Sequence, residues 1–396
     1  MKRLFVLSIG MLVLLAATLP LMAQEDGSRI YAYPPTNIAN VPHNPGVPIG
    51  TVPASFSNAY GFNLILNQGQ GQTIALVDPY DDPNIVSDLA AYATQFTLAP
   101  CNFQKVKVGA PMGNSAWGLI ESADVEQACA LAPQATILLV EANSNSLTDL
   151  LTAVEVAYSA PYNASVVSMN WGFAEFSGEL GSDSYFCNIV NPLGQAVTFV
   201  ASTGDGGHGT LYPSVSPCVI AAGGTSLSLA TTSGIYGTET AWNLSGGGLS
   251  LYEAQPSFQN PACATWSTSA RCVPDISSDD DPSLNTGVAA YDTYGYPGWV
   301  EVGGVATPDW AAFFTLVNSQ RVNLGLPTLS QAIQQLYTIY YSSNYLTDFH
   351  DITSGTNSSI LCGSPCIAGI GYDLVTGIGS YQANQLCPAL VPSPTC

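Results

Sequence analysis

Along the chain, short runs of consecutive apolar residues alternate with segments in which apolar residues recur at helical spacing. The run TIALVDP (73–79) is typical of a strand buried on both faces of a sheet, and NIVSDLAAYATQF (84–96) predicts the helix that follows it. The same alternation predicts helices at about 117–132 and 147–159, and further strands in ATILLVEA, SVVSMNWG, AVTFVASTG and CVIAAGG. Strands that alternate with helices predict an α/β fold with a doubly wound, mostly parallel sheet and helices on both faces.

The pattern changes in the second half of the chain. Residues 226–300 are rich in Gly, Ser, Thr and Asp, which predicts loops and short antiparallel strands over one end of the sheet. Two further helices are predicted in DWAAFFTLVNSQRVN and LSQAIQQLYTIYYS. Because neither a tandem repeat nor a linker interrupts residues 55–396, we interpret them as one large domain. The Pro- and Asn-rich residues 24–54 predict an extended lead-in.

Residues 1–23 have the pattern of a secretory signal peptide. Lys2 and Arg3 precede a long apolar run that ends in small residues, so we expect cleavage after Ala23 and a secreted, extracellular protein. An uncleaved membrane anchor is the alternative, because the apolar run is near the length that spans a bilayer. No later segment is long and apolar enough to span one, so we expect no membrane association after cleavage.

All ten cysteines lie beyond Ala23, as expected of an exported protein held by disulfides. Three pairs are close enough in sequence to form short disulfides: Cys263 with Cys272, Cys362 with Cys366, and Cys387 with Cys396. The other four cysteines could pair as Cys101 with Cys129 and Cys187 with Cys218, but sequence alone leaves the connectivity open. A zinc site is disfavoured, because no pair of cysteines lies beside a histidine at ligand spacing.

Charge excludes one class of partner. The 7 Lys and Arg residues against 28 Asp and Glu residues give a formal net charge of −21 at pH 7. Nucleic acid is therefore excluded as a partner, since its binding depends on basic side chains. Charged residues make up only 9% of the chain and hydrophobic residues 47%, which distinguishes it from a disordered acidic tail and allows a large core.

Two motifs suggest chemistry that their context does not support. Gly69 and Gly71 precede a predicted strand, whereas the glycines of a dinucleotide site follow a strand and open a helix. Asp78, His208 and Ser226 are the residue types of a hydrolase triad. The sequence after His208 cannot continue as a helix and the sequence after Ser226 is strand-like, so we interpret them as a turn residue and a strand-end residue.

Several segments between about residues 55 and 390 together resemble one peptidase family. They include GQGQTIALVDPYDDPN, SADVEQACALAPQATILLVEANSNS, VTFVASTGDGG, RCVPDISSDDDP and AGIGYDLVTGIGS. They are similar to the sedolisins, or serine-carboxyl peptidases, and this resemblance implies a subtilisin-like fold. It also implies a Ser nucleophile, a Glu base, an Asp that orients the Glu and a second Asp that donates to the oxyanion. Carboxyl groups can replace histidine as the base where the pH is low.

Carried over by position, these roles are only partly filled. Asp205 matches the oxyanion Asp, and Asp124 matches the orienting Asp. The position of the base falls on Ile120, and the nearest carboxylate, Glu121, is displaced by one residue, a rotation of about 100° around a helix. Glu121 and Asp124 still share a helix face at i, i+3, and a bulge in the helix is the alternative that would return Glu121 to the base position.

The nucleophile is missing. The resemblance places it in a Gly-Gly-Thr-Ser run before a Pro that opens a helix. Here the sequence from residue 303 reads GGVATPDW, so the serine position, counted back from Pro308, holds Gly304. Thr307 stands one residue before the Pro, which favours a helix N-cap over an attacking group. The lead-in is also too short for the prosegment that the resemblance implies, and both features indicate lost activity.

The calcium-binding pattern implied by the resemblance is complete. Its ligands would be two carboxylates and three backbone carbonyls, and its five positions match Asp351, Ile352, Gly369, Gly371 and Asp373. Such hard oxygen ligands suit Ca²⁺, so we expect one bound ion. A glycine-rich turn with solvated aspartates is the alternative. The separate acidic run 279–281 is expected to form a solvated loop surface.

These observations predict a secreted, calcium-binding sedolisin-like domain whose endopeptidase activity is lost or strongly impaired. We expect a monomer that still binds a peptide or protein ligand in the family cleft. One alternative is an active acid serine-type endopeptidase with an atypical catalytic site, which uses Glu121 and an unrecognised nucleophile. A second alternative, a secreted carbohydrate-binding or adhesion module, draws only on the Tyr and Asn content.

Overall fold

The structure, a computed structural model, describes Ala32 and residues 43–283, 286–358, 362–394 and 396. The predicted signal peptide, with its cleavage point after Ala23, lies outside the described residues, as does most of the predicted lead-in before residue 43. Of the helices that the structure describes, none is long and apolar enough to cross a membrane.

Nine α-helices are found in the described residues. In chain order, α1 to α9 are Pro53–Tyr60, Ile85–Phe96, Ser115–Leu131, Leu147–Tyr158, Asn260–Cys263, Ala306–Asn323, Ala332–Tyr340, Tyr345–Asp348 and Ala383–Leu390. The three helices predicted before residue 160 correspond to α2, α3 and α4, and the two predicted after residue 300 correspond to α6 and α7. All five are confirmed, with ends that move by a few residues.

Seventeen strands accompany them in the same part of the chain. In chain order, β1 to β17 are His43–Asn44, Thr73–Pro79, Asn102–Val108, Thr136–Ala142, Val166–Met169, Phe173–Ala174, Thr198–Ser202, Leu211–Tyr212, Ile220–Leu229, Tyr236–Ala241, Gly248–Ala254, Ala270–Val273, Ile276–Asp279, Val288–Asp292, Gly298–Val302, Phe349–His350 and Ser380–Tyr381. The five predicted strands correspond to β2, β4, β5, β7 and β9.

Eight strands form the central sheet, in the order β10-β9-β7-β5-β2-β4-β3, with β13 also paired to β9. Every pair is parallel except β10 with β9. Helix α4 packs over β2, β3 and β4 on one face, while α3 and α6 pack on the other. The predicted doubly wound, mostly parallel sheet with helices on both faces is therefore confirmed.

Strand β2 has an unbroken apolar run because both of its faces are buried. Ile74 and Leu76 belong to the core formed with α3 and α6, whereas Ala75 and Val77 belong to the core beneath α4. A strand covered on both faces has no solvent side that needs polar residues.

Two strands of the central sheet, β3 and β13, go beyond the predicted elements. Strand β3 is an edge strand in which partly exposed Lys and Gln residues interrupt the apolar pattern. Strand β13 lies within residues 226–300, where only loops and antiparallel strands were expected, and it pairs parallel with β9. The rest of that region agrees with the expectation, because β11 with β12 and β14 with β15 are antiparallel pairs.

The acidic run 279–281 is buried, so its prediction as a solvated surface is wrong. Asp279 accepts a hydrogen bond from the Leu227 N–H at 2.9 Å, and Asp281 accepts one from the Ser226 hydroxyl at 2.5 Å. Strand β13 brings the run to the carboxyl end of the sheet, where these donors replace water.

The start of α6 also differs from the prediction. The helix begins at Ala306, and Thr307 is buried within its first turn, so Thr307 is not the N-cap. The Asp280 carboxylate instead accepts a hydrogen bond from the Ala306 N–H at 2.9 Å. Asp280 thereby satisfies one of the free N–H groups at the helix N-terminus from a distant part of the sequence.

All ten cysteines are paired in five disulfides, which confirms the predicted disulfide framework. The pairs are Cys101–Cys129, Cys187–Cys218, Cys263–Cys272, Cys362–Cys366 and Cys387–Cys396. Cys101–Cys129 ties the start of β3 to α3, the helix that carries Glu121 and Asp124.

Candidate functional site

Polar side chains converge at the carboxyl edge of the central sheet, where open α/β folds bind their ligands. The sheet register places Asp78, near the end of β2, beside Glu141 in β4. Asn170 follows β5, and Asp205 follows β7. These groups, together with the side chains that α3 directs towards them, form the candidate active site.

Asp124 of α3 lies at the centre of this site and is 1% exposed. Its Oδ1 accepts a hydrogen bond of 2.9 Å from Nδ2 of Asn170, and the same nitrogen donates to the Gly304 carbonyl oxygen at 2.5 Å. Burial raises the pKa of Asp124 well above its ordinary value, and Asp78 raises it further, while the Asn170 hydrogen bond lowers it. The Asn170 amide therefore bridges the predicted orienting Asp and the predicted nucleophile position.

The space beside Gly304 is open. Gly304 has a φ of +76°, and a Cβ added there would meet no heavy atom within 4 Å. Thr307, the nearest hydroxyl in sequence, is 1% exposed inside α6. Among the described residues, no Ser or Thr hydroxyl donates to the carboxyl groups of Glu121 or Asp124. The loop before α6 thus presents backbone, and not a hydroxyl, to Asp124.

Glu121 lies among other carboxyl groups. Burial raises its pKa well above the ordinary value, and the charges of Asp78, Glu141 and Asp82 raise it further. Helix α3 is α-helical without interruption from Ser115 to Leu131, so no bulge of this helix brings Glu121 back to the base position. Ile120, at that position, packs with the apolar core beneath α4.

The carboxyl groups around Glu121 include Asp78 and Glu141, and Lys105 lies at their edge. Both oxygens of Asp78 are buried without a hydrogen-bond partner, and burial followed by the charge of Glu141 raises its pKa to about 8. Glu141 pairs with Lys105, with 2.7 Å between Oε1 and Nζ. One ammonium group cannot neutralise several carboxylates, and burial raises the pKa of Glu121 and Asp78, so these two carboxyl groups favour the protonated form and suit an acidic environment.

Asp205 is half-buried and lies near Asp280. Burial raises the pKa of Asp280 to about 7, and the charge of Asp205 contributes to that shift. The Asp280 carbonyl oxygen also accepts a hydrogen bond of 3.2 Å from the Gly304 N–H. The structure therefore joins Asp124 and Gly304 through Asn170, and it connects Gly304 to Asp280, the neighbour of Asp205.

Asn170 and Asp280 connect this site, and sequence reasoning did not single out either of them as a site residue. Asn170 stands at the end of the predicted strand SVVSMNWG, a position that favours site residues in a parallel sheet. Asp280 has the same position after β13, but that strand was not predicted.

The residues of the predicted calcium pattern lie together in a loop between β16 and β17. The Gly371 N–H donates to both carboxylate oxygens of Asp351, at 3.1 and 3.0 Å, and the Gly369 N–H donates to Asp373 at 2.8 Å. Burial raises the pKa of Asp351, and it raises that of Asp373 to about 6. The hydroxyl of Thr376 lies 3.5 Å from the Ile352 carbonyl oxygen and closes the loop.

This loop fits a hard divalent cation. It brings together two carboxylates and the backbone of two glycines, and its tip is open, since Ile370 is 92% exposed. Oxygen donors of this kind are those that Ca²⁺ prefers. The five predicted positions could therefore hold the ion. A different group, His208 with Cys362 and Cys366, has metal-binding residue types, but its cysteines are joined in a disulfide.

Comparisons with known proteins identify relatives of this chain. The model of the subtilase family matches residues 115–295. The chain is 31% identical to kumamolisin of Bacillus sp. (strain MN-32) over 381 residues, which cover 87% of this chain and 64% of kumamolisin. It is 28% identical to sedolisin of Pseudomonas sp. (strain 101) over 340 residues, which cover 76% of this chain and 54% of sedolisin. The chain thus spans between about half and two thirds of the length of these curated relatives.

The fold is similar to a solved structure of Pseudomonas sedolisin complexed with two molecules of pseudo-iodotyrostatin. The TM-score is 0.74 at 24% sequence identity, and the match covers 88% of this chain and 100% of that chain. The predicted subtilisin-like architecture is therefore confirmed.

Proposed function

The chain belongs to the sedolisin family, and from this membership we propose that it is a secreted, calcium-binding, peptidase-like domain whose endopeptidase activity is lost or strongly impaired. The observation that carries the proposal is the bridge from Asn170 to Asp124 and to the Gly304 carbonyl. In a serine-carboxyl peptidase the orienting Asp supports a base that removes a proton from the nucleophile. Here the groups that connect Asp124 to the nucleophile position are the amide of Asn170 and the backbone carbonyl of Gly304.

Neither of these groups can carry out acyl transfer. The amide nitrogen of Asn170 donates hydrogen bonds and has no basicity in the accessible pH range, and the Gly304 carbonyl offers no hydroxyl to acylate. The raised pKa of Glu121 suits acid–base chemistry, but its buried oxygens have no hydroxyl partner to activate. The loss of a nucleophile lowers the rate by several powers of ten.

The remaining groups support binding without turnover. The half-buried Asp205 and the open space beside Gly304 leave room for a peptide carbonyl at the edge of the sheet. A bound Ca²⁺ would be held by Asp351, Asp373 and the carbonyls of Ile352, Gly369 and Gly371, and it would fix the loop between β16 and β17. The five disulfides support an oxidising, extracellular location.

Hydrolysis of a denatured protein at about pH 4 tests this proposal, because carboxyl-based catalysis works best in acid. We expect no turnover by the purified chain above that of its Asp205→Ala variant, while both bind the substrate in fluorescence anisotropy. Turnover that disappears in Asp205→Ala would overturn the proposal. It would favour an active acid endopeptidase with an unrecognised nucleophile.

A further inference from the structure

A second group of acidic side chains lies outside both of these sites, where α2, α3 and β14 meet. Asp82 lies between β2 and α2, Asp88 lies in the first turn of α2, and Asp292 ends β14. One carboxylate oxygen of each lies within 4.8 Å of the other two, and the three side chains are at most 1% exposed. With Glu126 of α3 they are termed the buried acidic cluster.

The aspartates of this cluster receive only neutral hydrogen-bond donors. Asp82 accepts from the Asn84 N–H at 2.8 Å and from the Ser122 hydroxyl at 3.2 Å. Asp88 accepts from Ser87 and Thr293, and Asp292 accepts from the N–H groups of residues 294–296. In the part of the chain that the structure describes, no ion pair involves any of the four acidic side chains. Their charges therefore lack a counterion within hydrogen-bond reach.

Glu126 independently indicates that the cluster lacks a donor or a cation. Its Oε2 accepts a hydrogen bond of 2.9 Å from the Tyr291 N–H, but its Oε1 is buried without a partner. The side chain is 0% exposed. Burial raises the pKa of Glu126, and the charges of Asp88, Asp292 and Asp82 add to that shift, so its carboxyl lies in the neighbourhood of the three aspartates. A buried oxygen in this position is unfavourable unless a donor or a cation meets it.

We propose that the buried acidic cluster is a divalent-cation site, separate from the 351–373 loop, and that Ca²⁺ fits it. Ca²⁺ binds oxygens at about 2.4 Å, so opposite ligands of one ion lie about 4.8 Å apart. The aspartate oxygens meet that limit, and the unpartnered oxygen of Glu126 is a further buried acceptor near them. The ion would tie the turn after β14 to α2 and to α3, the helix that carries Glu121 and Asp124.

The buried acidic cluster lies beneath a turn at the surface of the protein. The turn that follows Asp292 is exposed at Thr293 and Gly295, and the half-buried Tyr294 lies over the cluster. A Cβ at Gly118 would lie 3.0 Å from Cδ1 of Tyr294 and 3.5 Å from Cγ of Asp82. The tyrosine therefore packs against α3 where a glycine makes room, between the cluster and the surface.

The stoichiometry of Ca²⁺ binding tests the proposal. The calcium-free, purified chain is titrated with Ca²⁺ by isothermal calorimetry at about pH 7, where binding of Ca²⁺ displaces the protons that the buried carboxyl groups hold. We expect two ions for the wild type, one for Asp373→Asn, one for Asp292→Asn and none for the double variant. Glu155→Gln, which removes an exposed carboxylate from α4, is the matched control and should still bind two ions.

The Asp373→Asn variant leaves the cluster unchanged, so it decides the matter even if Asp292→Asn fails to fold. A folded Asp373→Asn protein that binds no Ca²⁺ overturns the proposal. In that background, Glu126→Gln should weaken the remaining site at least about tenfold, because the number of charged ligands sets the affinity, and an unchanged affinity also overturns it. Loss of the other ion in Asp373→Asn reports on the 351–373 loop alone, so the two assignments fail separately.

Discussion

The candidate active site and the 351–373 loop both combine carboxylates with backbone groups, but they differ in what completes them. In the loop, the carboxylates of Asp351 and Asp373 accept hydrogen bonds from Gly371 and Gly369, and all four residues match the sequence pattern. In the active site, Asp124 faces the amide of Asn170, while an isoleucine and a glycine occupy the positions of the base and the nucleophile.

This difference shows that two kinds of site depend on the sequence in different ways. A cation site is built largely from backbone oxygens and short carboxylates, so a correctly folded loop supplies most of it. Acyl transfer depends on one hydroxyl and one base within hydrogen-bond distance, so a change of two positions removes it. The fold around the active site can therefore persist after its chemistry is gone.

The largest expected effect comes from restoring the two missing groups. Insertion of Thr-Ser after Gly304, combined with exchange of Ile120 and Glu121, should raise acid turnover by several powers of ten, because it returns nucleophile and base to a retained framework. The open space beside Gly304 leaves room for the inserted serine. Release of labelled peptides from a denatured protein measures the gain.

The matched control for this variant carries Thr-Ala in place of Thr-Ser and should be inactive. A repaired variant that folds and binds substrate without turnover would contradict the idea that only two positions were lost. The hydrogen bond from Asn170 to Asp124 would then be the next feature to change, since it uses the carboxylate oxygen that would otherwise be free to orient the base.

A smaller effect is expected from removing calcium, which acts on the intact loop. Chelation should lower the melting temperature by about 5 °C or more, because a ligand at a thousand-fold excess over its Kd stabilises the native state by about 4 kcal/mol. Scanning calorimetry with and without chelator measures the shift. Asp373→Asn should reduce it, whereas Asp124→Asn, in the active site, should retain it in full. Equal shifts in all three proteins would contradict the assignment of the loop.

The central elements of the fold are predictable because their signals are local. The unbroken apolar run of β2 and the helical spacing of α2, α3 and α4 each reflect burial of a continuous segment. Strand β13 lacks such a signal, since its sequence Ile-Ser-Ser-Asp is polar although all four residues are buried. Its Asp279 carboxylate accepts a hydrogen bond from the Leu227 N–H, 52 residues away, and a single segment does not reveal such a distant donor.

The same reason limits prediction of the active site. The absence of a serine near residue 304 and the shift of Glu121 are visible in the sequence. The bridge made by Asn170 is not, because it joins Asp124 and Gly304 across separations of 46 and 134 residues. The burial of Asp280 likewise follows from its contact with the start of α6, 26 residues away.

The smallest expected effect is on the pH dependence of stability, and it concerns the buried carboxyl group of Glu121. Burial raises the pKa of Glu121 above its unfolded value of about 4.3, so between that pH and the folded pKa the native state binds more protons than the unfolded state. The contribution of Glu121 to stability is therefore fully present below about pH 4 and is lost as the pH rises, and Asp78, with a pKa of about 8, extends this loss to that pH.

Replacing Glu121 by Gln removes one ionising group from this cluster while preserving its shape. At about pH 4 the variant should match the wild type, and at about pH 7 it should be more stable by on the order of 2 kcal/mol, because the native state no longer has to hold that proton. Urea unfolding at both pH values measures the difference, with the exposed Glu155→Gln as the control that should follow the wild type. A difference of equal size at both pH values would mean that packing, and not charge, distinguishes Glu121. The acid dependence would then not arise from this residue, and the contrast between the two sites would rest on the missing nucleophile alone.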